Sequence, residues 1–323
     1  MWSFHSQIKI KLDLDVSQKY VVGFSGGVDS AVLAKSLLDE KFNFRLVHVN
    51  HGQTKASTES DKIQKFCEHW AKTYGVMLTI VKISLDQDKV RAKGTEAAER
   101  DARYDAIFSV MEDDETLLLG HHLDDTAENI FFRLARGSSV RGLTGISPRV
   151  EVKNFSPKKT RTICRPFSPF PKSLIIKHAA SNSTLYGHET DNDNLELTRA
   201  FIRAKIVKPL AEHVGQEKFY SSIQRFTEHM SECSDLIRDL YLLDNMSCGA
   251  EFTGIDLSEF RKLSEVRRRN YLHHKLSEVT GLFFTRSQIF EIMKRIDSKS
   301  LSEFIINNVR FSKCKKVLKI NQL

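Results

Sequence analysis

The sequence predicts an α/β protein, with a doubly wound, mostly parallel sheet of Rossmann-like form followed by a smaller helical domain. Two observations lead there. Up to about residue 120, short apolar β-branched runs alternate with amphipathic helical segments, the order that a parallel sheet with crossover helices requires. Beyond about residue 210 the pattern turns helical and charged, so the expected division is 1–210 for the sheet domain and 211–323 for the helical one.

Tyr20 to Phe24 is an apolar strand, and Ala31-Val32-Leu33-Ala34-Lys35-Ser36-Leu37-Leu38 carries helical apolar spacing. Between them lies Ser25-Gly26-Gly27-Val28-Asp29-Ser30. Gly26 and Gly27 let backbone N–H groups turn inward, and the helix that follows presents its positive end, so this loop is suited to a phosphate or pyrophosphate. Asp29 adds a carboxylate able to hold Mg²⁺ against those phosphates. The loop has no Lys after its last glycine, as a Walker loop would, and lacks G-x-G-x-x-G spacing.

Phe42 to Val49 predicts a second strand, ending in Asn50-His51-Gly52 where a doubly wound sheet places ligands. Ser60 to Tyr74 predicts a helix with Ile63, Phe66, Cys67 and Trp70 on one face, and Met77 to Ile83 a third strand. Thr95 to Met111 predicts a helix capped by Thr95, whose Glu96, Arg100 and Arg103 share a face. Either an ion pair on a solvated surface or arginine contacts to phosphate would account for that face. Thr116 to Gly120 is the next strand.

It runs into His121-His122-Leu123-Asp124-Asp125-Thr126-Ala127-Glu128-Asn129, a strand-to-helix passage with Asp125 and Glu128 on one helical face. Two such carboxylates can hold Mg²⁺, take a proton from an amine or grip a cationic substrate. A transition-metal site at the two histidines is a second reading, and helix capping accounts for Asp124. Arg136 to Gly145 is glycine-rich, carries Arg141, and is expected as a loop over a nucleotide. Arg149 to Arg165 is a basic connection or hairpin. Residues 173–186 return to helical spacing, Asp191-Asn192-Asp193-Asn194 marks a turn, and Leu197 to Leu210 predicts a helix stopped near Pro209, with Arg199 and Arg203 on one face. From there to about residue 298 the pattern is helical, including Arg267-Arg268-Arg269. Phe304 to Ile320 has short alternating apolar runs around Asn307-Asn308.

Composition narrows the partners. The five cysteines are scattered and never spaced C-x-x-C, which gives no disulfide framework and no zinc or iron–sulfur pattern. No apolar window reaches the length of a membrane span, and the start has no signal-peptide pattern, so a cytoplasmic location without membrane contact is expected. The net charge is +8, and Lys+Arg against Asp+Glu runs 20 to 21 over residues 1–150 but 29 to 20 over 151–323. That excess of +9 in the second half suits a polyanionic substrate.

The ordered set of motifs resembles one family, the tRNA(Ile)-lysidine synthetases within the PP-loop ATP pyrophosphatases. It comprises SGGVDS at 25–30, His48-Val49-Asn50-His51-Gly52, Glu96-Ala97 with Arg100 and Arg103-Tyr104, and His121-His122-Leu123-Asp124-Asp125 with Ala127-Glu128. Arg136-Gly137-Ser138, Arg141-Gly142-Leu143, Arg165-Pro166, and Asp191 with Asn194, Arg199, Ile202, Arg203 and Pro209-Leu210 complete it. Ala200 departs from the pattern, standing where Asn often follows the arginine.

The resemblance implies a ligase that adenylates C2 of the wobble cytidine in a CAU-anticodon isoleucine tRNA, using ATP and Mg²⁺. The ε-amine of free L-lysine then attacks, giving lysidine, AMP and pyrophosphate. It implies ATP binding by Ser25, Gly26, Gly27, Val28, Asp29, Ser30, Asn50 and His51, with Asp29 on Mg²⁺. Asp125 and Glu128 would bind and deprotonate lysine, although the two acidic sites could exchange roles. Arg100 and Arg103 would stabilise charge in the reaction, and Arg141, Arg199 and Arg203 would contact tRNA. Oligomeric state is left open, a homodimer included. Rival readings are a tRNA thiolase of the same fold, disfavoured by the lack of C-x-x-C, a small-molecule ligase of the GMP or NAD synthetase kind, and a nucleotide-binding protein without catalysis.

Overall fold

A computed structural model of the chain describes residues 14–50, 57–84, 88, 90–91, 95–152, 160–187, 198–298 and 302–323. The chain packs as two compact units, Met1–Glu228 and His229–Leu323. Among the described residues no helix is long and apolar enough to cross a membrane.

The first unit is built on a six-stranded sheet: β1 (Lys19–Gly23), β2 (Asn43–Asn50), β3 (Leu78–Lys82), β4 (Glu115–Leu118), β5 (Arg149–Val152) and β6 (Arg161–Cys164). Its spatial order is β3-β2-β1-β4-β6-β5, parallel throughout except for the β5–β6 pair. The basic stretch 149–165 is therefore, at its described ends, an antiparallel edge pair. Helices α1 (Val28–Asp39), α2 (Ser57–Tyr74) and α5 (Lys172–Ser181) pack on one face, where Val32, Leu33, Cys67, Trp70 and Ile175 join Tyr20, Val22, Leu46 and Leu118. Helix α3 (Thr95–Ser109) covers the other face through Ala106, Ile107 and Phe108 against Val21, Val47, Leu117 and Ile163. The apolar face expected of α2 is the one it buries: Cys67 and Trp70 are fully enclosed, and the Trp70 indole N–H finds the carbonyl of Leu185 at 2.9 Å.

Strand order reverses between β1 and β4, each pairing with the other and continuing outward in opposite directions. At that switch point the loops leaving the carboxyl ends of β1 and β4 diverge around a crevice. The chain thus brings SGGVDS and His121-His122 together although about 90 residues of sequence separate them.

Helix α4 (Leu123–Ala135) leads from β4 and buries Leu123, Ala127 and Ile130 against Ile202, Val207, Ala211, Phe219 and Ile223. A short 3₁₀ turn, Val140–Leu143, interrupts the segment expected to lack regular structure. The helix predicted to stop near Pro209 does not stop there. It runs as α6 (Thr198–Ile202), a π-helical turn over Arg203–Val207, and α7 (Lys208–Val214), with Pro209 in the first turn of α7. Pro209 has no N–H to donate, and its ring crowds the carbonyl four residues back, so the widened turn lets the helical path continue.

The second unit takes up the end of α8 (Gln216–Cys248) and contains α9 (Leu257–Phe260), α10 (Glu265–Thr280) and α11 (Arg286–Asp297). To these helices it adds a five-stranded antiparallel sheet that helical spacing alone did not announce. Its strands are β7 (Gly249–Ala250), β8 (Gly254–Asp256), β9 (Glu303–Ile306), β10 (Val309–Cys314) and β11 (Val317–Gln322), in the order β7-β8-β11-β10-β9. The alternating runs noted around Asn307-Asn308 are β9 and β10. Both asparagines have positive φ, 53° and 60°, as a two-residue hairpin with right-handed strand twist demands. Phe260, Tyr271, Leu276, Ile292, Phe311 and Leu318 form its core.

Candidate active site

The loop after β1 has the local geometry of an anion cradle. Gly26 has φ +84°, and a Cβ there would press on Phe66 and Cys67 at 3.1 and 3.2 Å, so only glycine fits. Gly27 is the N-cap of α1 and offers no side chain to its first turn. Ser25 and Ser30 lie Oγ to Oγ at 3.2 Å; the Gly27 N–H donates to Ser25 Oγ at 3.3 Å, and Ser30 Oγ donates to the Gly27 carbonyl at 3.1 Å. From below, the Gly187 N–H holds the Gly26 carbonyl at 2.8 Å, fixing the loop's curvature.

Asp29 sits in the first turn of α1 and faces the end of β4. Gly120 permits this approach: a Cβ at 120 would lie 3.0 Å from the Asp29 Cβ and 3.1 Å from its carbonyl carbon. One Asp29 oxygen, Oδ2, accepts from Lys172 Nζ at the start of α5. The other, Oδ1, is buried and has no hydrogen-bond partner. An orphaned carboxylate oxygen beside inward-turning backbone donors is what a Mg²⁺ ion bridging to phosphate would use, so these residues fit that ion. Burial holds the Asp29 carboxyl above the ordinary range, against the opposing pull of His122 and Lys172.

His122 is the joint between this loop and the acidic pair. Its ring nitrogens lie 3.8 Å from Asp29 Oδ2, 3.6 Å from Asp124 Oδ2 and 3.5 Å from Asp125 Oδ2. Burial, with Lys172 pushing the same way, keeps the imidazole below its usual pKa in spite of Asp29, Asp124 and Glu128. Helix α4 is capped differently from the sequence reading. His122 is the N-cap, and its N–H donates to Asp125 Oδ2 at 2.9 Å, so Asp125, not Asp124, closes the first turn. Asp124 instead reaches across, accepting from the Lys172 N–H at 2.7 Å and from the Tyr220 hydroxyl.

Glu128, one turn on, is almost fully buried and meets Arg203 in a bidentate pair, Nε to Oε1 at 2.5 Å and Nη2 to Oε2 at 3.1 Å. Burial raises the carboxyls of both Asp125 and Glu128. For Glu128, hydrogen bonding to Arg203 opposes that rise. Arg203, expected at the tRNA, thus lies in the same polar crevice as the lysine-binding candidates. Among the described residues no group of three or more His, Cys, Asp and Glu side chains is arranged to hold a metal ion, so the two histidines do not assemble a chelating set.

Arg100 and Arg103 gather around His121, the neighbour of His122. Burial drives the His121 imidazole down to about 3, and Arg165, Arg100 and Arg103 push the same way. Burial lowers the Arg133 pKa, and Arg100 and Arg199 add to that lowering; the Arg133 Nε donates to Asn129 at 2.7 Å. Arg199 and Arg136 lie over the Phe132 ring at 5.4 and 4.1 Å. Arg141 is exposed in the 3₁₀ turn. Asn50, at the end of β2, is buried and donates to Gln64 at 2.7 Å and Asp61 at 3.3 Å. His51 and Asp191 to Asn194 lie outside the described residues.

Lys172 and Tyr220 escaped the sequence reading. Each is a lone residue in an ordinary helical pattern, and only the fold carries them to Asp29 and Asp124. A weak signal existed for Lys172: Pro171 ahead of it marks a helix start, where a basic side chain is out of keeping with the dipole.

The PP-loop domain model matches residues 3–210. The chain is 28% identical over 280 residues to a tRNA(Ile)-lysidine synthase of Actinobacillus pleuropneumoniae serotype 3 (strain JL03), covering 86% of this chain and 63% of that protein. It is 28% identical over 279 residues to a tRNA(Ile)-lysidine synthase of Pseudomonas aeruginosa, covering 81% and 60%. A bifunctional protein TilS/HprT of Listeria monocytogenes serovar 1/2a is 31% identical over 304 residues, covering 89% and 45%. The chain therefore spans about half to two thirds of the length of these curated relatives. With the loop, the switch-point crevice and the match over residues 3–210 in agreement, the chain belongs to the PP-loop domain family.

Proposed function

We propose that the protein is a tRNA(Ile)-lysidine synthetase. In this reading it transfers AMP from ATP to the C2 oxygen of the wobble cytidine in a CAU-anticodon tRNA and then joins the ε-amine of L-lysine to C2. One observation carries the reading: His122 bridges the phosphate loop and the acidic pair, so a nucleotide's phosphates and a cationic amine would meet within one crevice. The names of the relatives support the same substrate class.

In this scheme the backbone of Ser25 to Gly27 and the Ser30 hydroxyl cradle the pyrophosphate portion, and Asn50 lies toward the adenosine. Mg²⁺, where bound at Asp29, neutralises phosphate charge. Asp125, whose carboxyl burial makes more basic than usual, takes the proton that the lysine ammonium must lose before it can attack. Glu128, held by Arg203, keeps negative charge beside that ammonium. The low pKa of His121 keeps it neutral amid Arg100 and Arg103, so it adds no further positive charge there, and the two arginines are assigned to phosphate or to the activated base. Arg141 and Arg199 are assigned to the tRNA.

The test is incubation with ATP, Mg²⁺, radiolabelled lysine and a CAU-anticodon isoleucine tRNA transcript, beside a wobble-uridine transcript. Label that survives base treatment and requires the cytidine is the expected result. AMP formation with tRNA but without label would overturn the choice of lysine as nucleophile.

A further inference from the structure

Lys172 belongs to none of the motifs above, yet it is bonded to the loop's metal-binding candidate. Its ammonium meets Asp29 Oδ2, with 30% of the Lys172 side chain and 27% of the Asp29 side chain exposed. Its own N–H is fixed by Asp124 Oδ2 at 2.7 Å, and Asp124 is fixed in turn by the Tyr220 hydroxyl. A pair serving only to hold α5 to α1 would not need Asp29 Oδ1 buried and unpartnered, since such an acceptor costs about 1–3 kcal/mol. The geometry divides the carboxylate, one oxygen to Lys172 and one toward the cradle. A lysine ammonium also has three donors, and Asp29 uses one.

We infer that Lys172 is a phosphate-contacting residue of the loop, presenting to the pyrophosphate portion of the nucleotide a positive charge of its own, independent of any metal at Asp29. The inference rests on the ATP-cleaving reading. In that step the bond from the cytidine O2 to the α-phosphorus forms as the bond from that phosphorus to the α,β-bridging oxygen breaks, its electron pair leaving on pyrophosphate. Lys172 donates hydrogen bonds to the departing oxygens and keeps its proton. With one N–H held on Asp29, a compact ammonium at the edge of the crevice still has two N–H groups to offer them.

The test is binding of inorganic pyrophosphate by calorimetry to the parent, Lys172→Met, Lys172→Arg and Asp29→Asn, each in Mg²⁺ and in EDTA, with thermal unfolding to check that each variant folds. Lys172→Met is expected to lose about tenfold or more in both buffers. Lys172→Arg should recover most of that loss. Asp29→Asn should lose affinity in Mg²⁺ but not in EDTA, where its carboxylate has no cation to hold. If folded Lys172→Met binds pyrophosphate in EDTA as the parent does, the contact is absent and Lys172 acts only through Asp29. A parent that binds pyrophosphate but makes no lysidine would overturn the lysidine reading and keep this one. A parent that binds none in either buffer would remove both.

Discussion

At the scale of single residues, the site is held in a form that the folded protein would relax if it could. Asp125 is a carboxylate whose charged form is disfavoured by burial. A carboxyl raised above its unfolded value takes up protons on folding, so its charge destabilises the fold above the raised pKa. That penalty fades as pH falls through it. Asp125→Asn is therefore expected to stabilise the protein at pH 7 by about 0.5–2 kcal/mol, a rise in Tm of roughly 1–8 °C. The side-chain oxygen of Asn can still accept from the His122 N–H. The difference should shrink as pH is lowered from 7 toward 4, and the variant should lose lysine transfer. A variant less stable than the parent at pH 7 would mean that the cap outweighs the burial. Glu128 contrasts with it, because Arg203 compensates its charge. Arg203→Met should leave a buried, unpartnered carboxylate, lowering Tm and raising KM for lysine together, with pyrophosphate binding retained.

At the scale of elements, the carboxyl end of β4 and the first turn of α1 are in contact without a side chain between them. Gly120→Ala places a methyl 3.0 Å from the Asp29 Cβ and 3.1 Å from backbone, where no flexible chain end can yield. The expected cost is about 1–3 kcal/mol, with loss of Mg²⁺-dependent pyrophosphate binding as Asp29 shifts. Normal binding would show that α1 can retreat. Much of this architecture was legible beforehand. The loop, the three strands up to residue 82 and helices α2 to α4 follow from spacing that local propensity and tertiary packing both favour. Three features were not. Pro209 reads as a stop because its missing N–H breaks an α-helix, and only the structure reveals a π turn absorbing the break. The short strands β7 and β8 sit inside a charged, helical background, and the pairing of β8 with β11, which joins that local pair to the sheet, is a long-range event. Capping of α4 by Asp125 rather than Asp124 depends on Lys172 and Tyr220 claiming Asp124, a contest between residues distant in sequence.

At the scale of the molecule, net charge locates the partner's chemistry but not its face. The run Arg267-Arg268-Arg269 is the most basic triplet of the chain, yet each arginine is spent internally: Arg267 on buried Asp244, Arg268 on Asp297 at 3.1 Å and Arg269 on Glu265. Arg100, in the first unit, behaves differently. Arg100 contributes to the depression of both Arg133 and His121, and its own contact is the Tyr104 ring at 5.7 Å. Like charges gathered this way raise the energy of the free protein and are relieved by a polyanion, whereas arginines in ion pairs lose a partner when removed. Arg100→Gln and Arg267→Gln should therefore separate cleanly. Arg100→Gln should leave Tm unchanged or slightly higher, weaken tRNA binding, and make the slope of log K against log salt shallower by about 1. Arg267→Gln should lower Tm and leave that slope untouched. Titrations of tRNA at several salt concentrations, beside thermal unfolding of both variants, decide the matter. A steeper loss of stability in Arg100→Gln than in Arg267→Gln would mean that Arg100 is structural and that the polyanion of the lysidine-synthetase reading is met elsewhere.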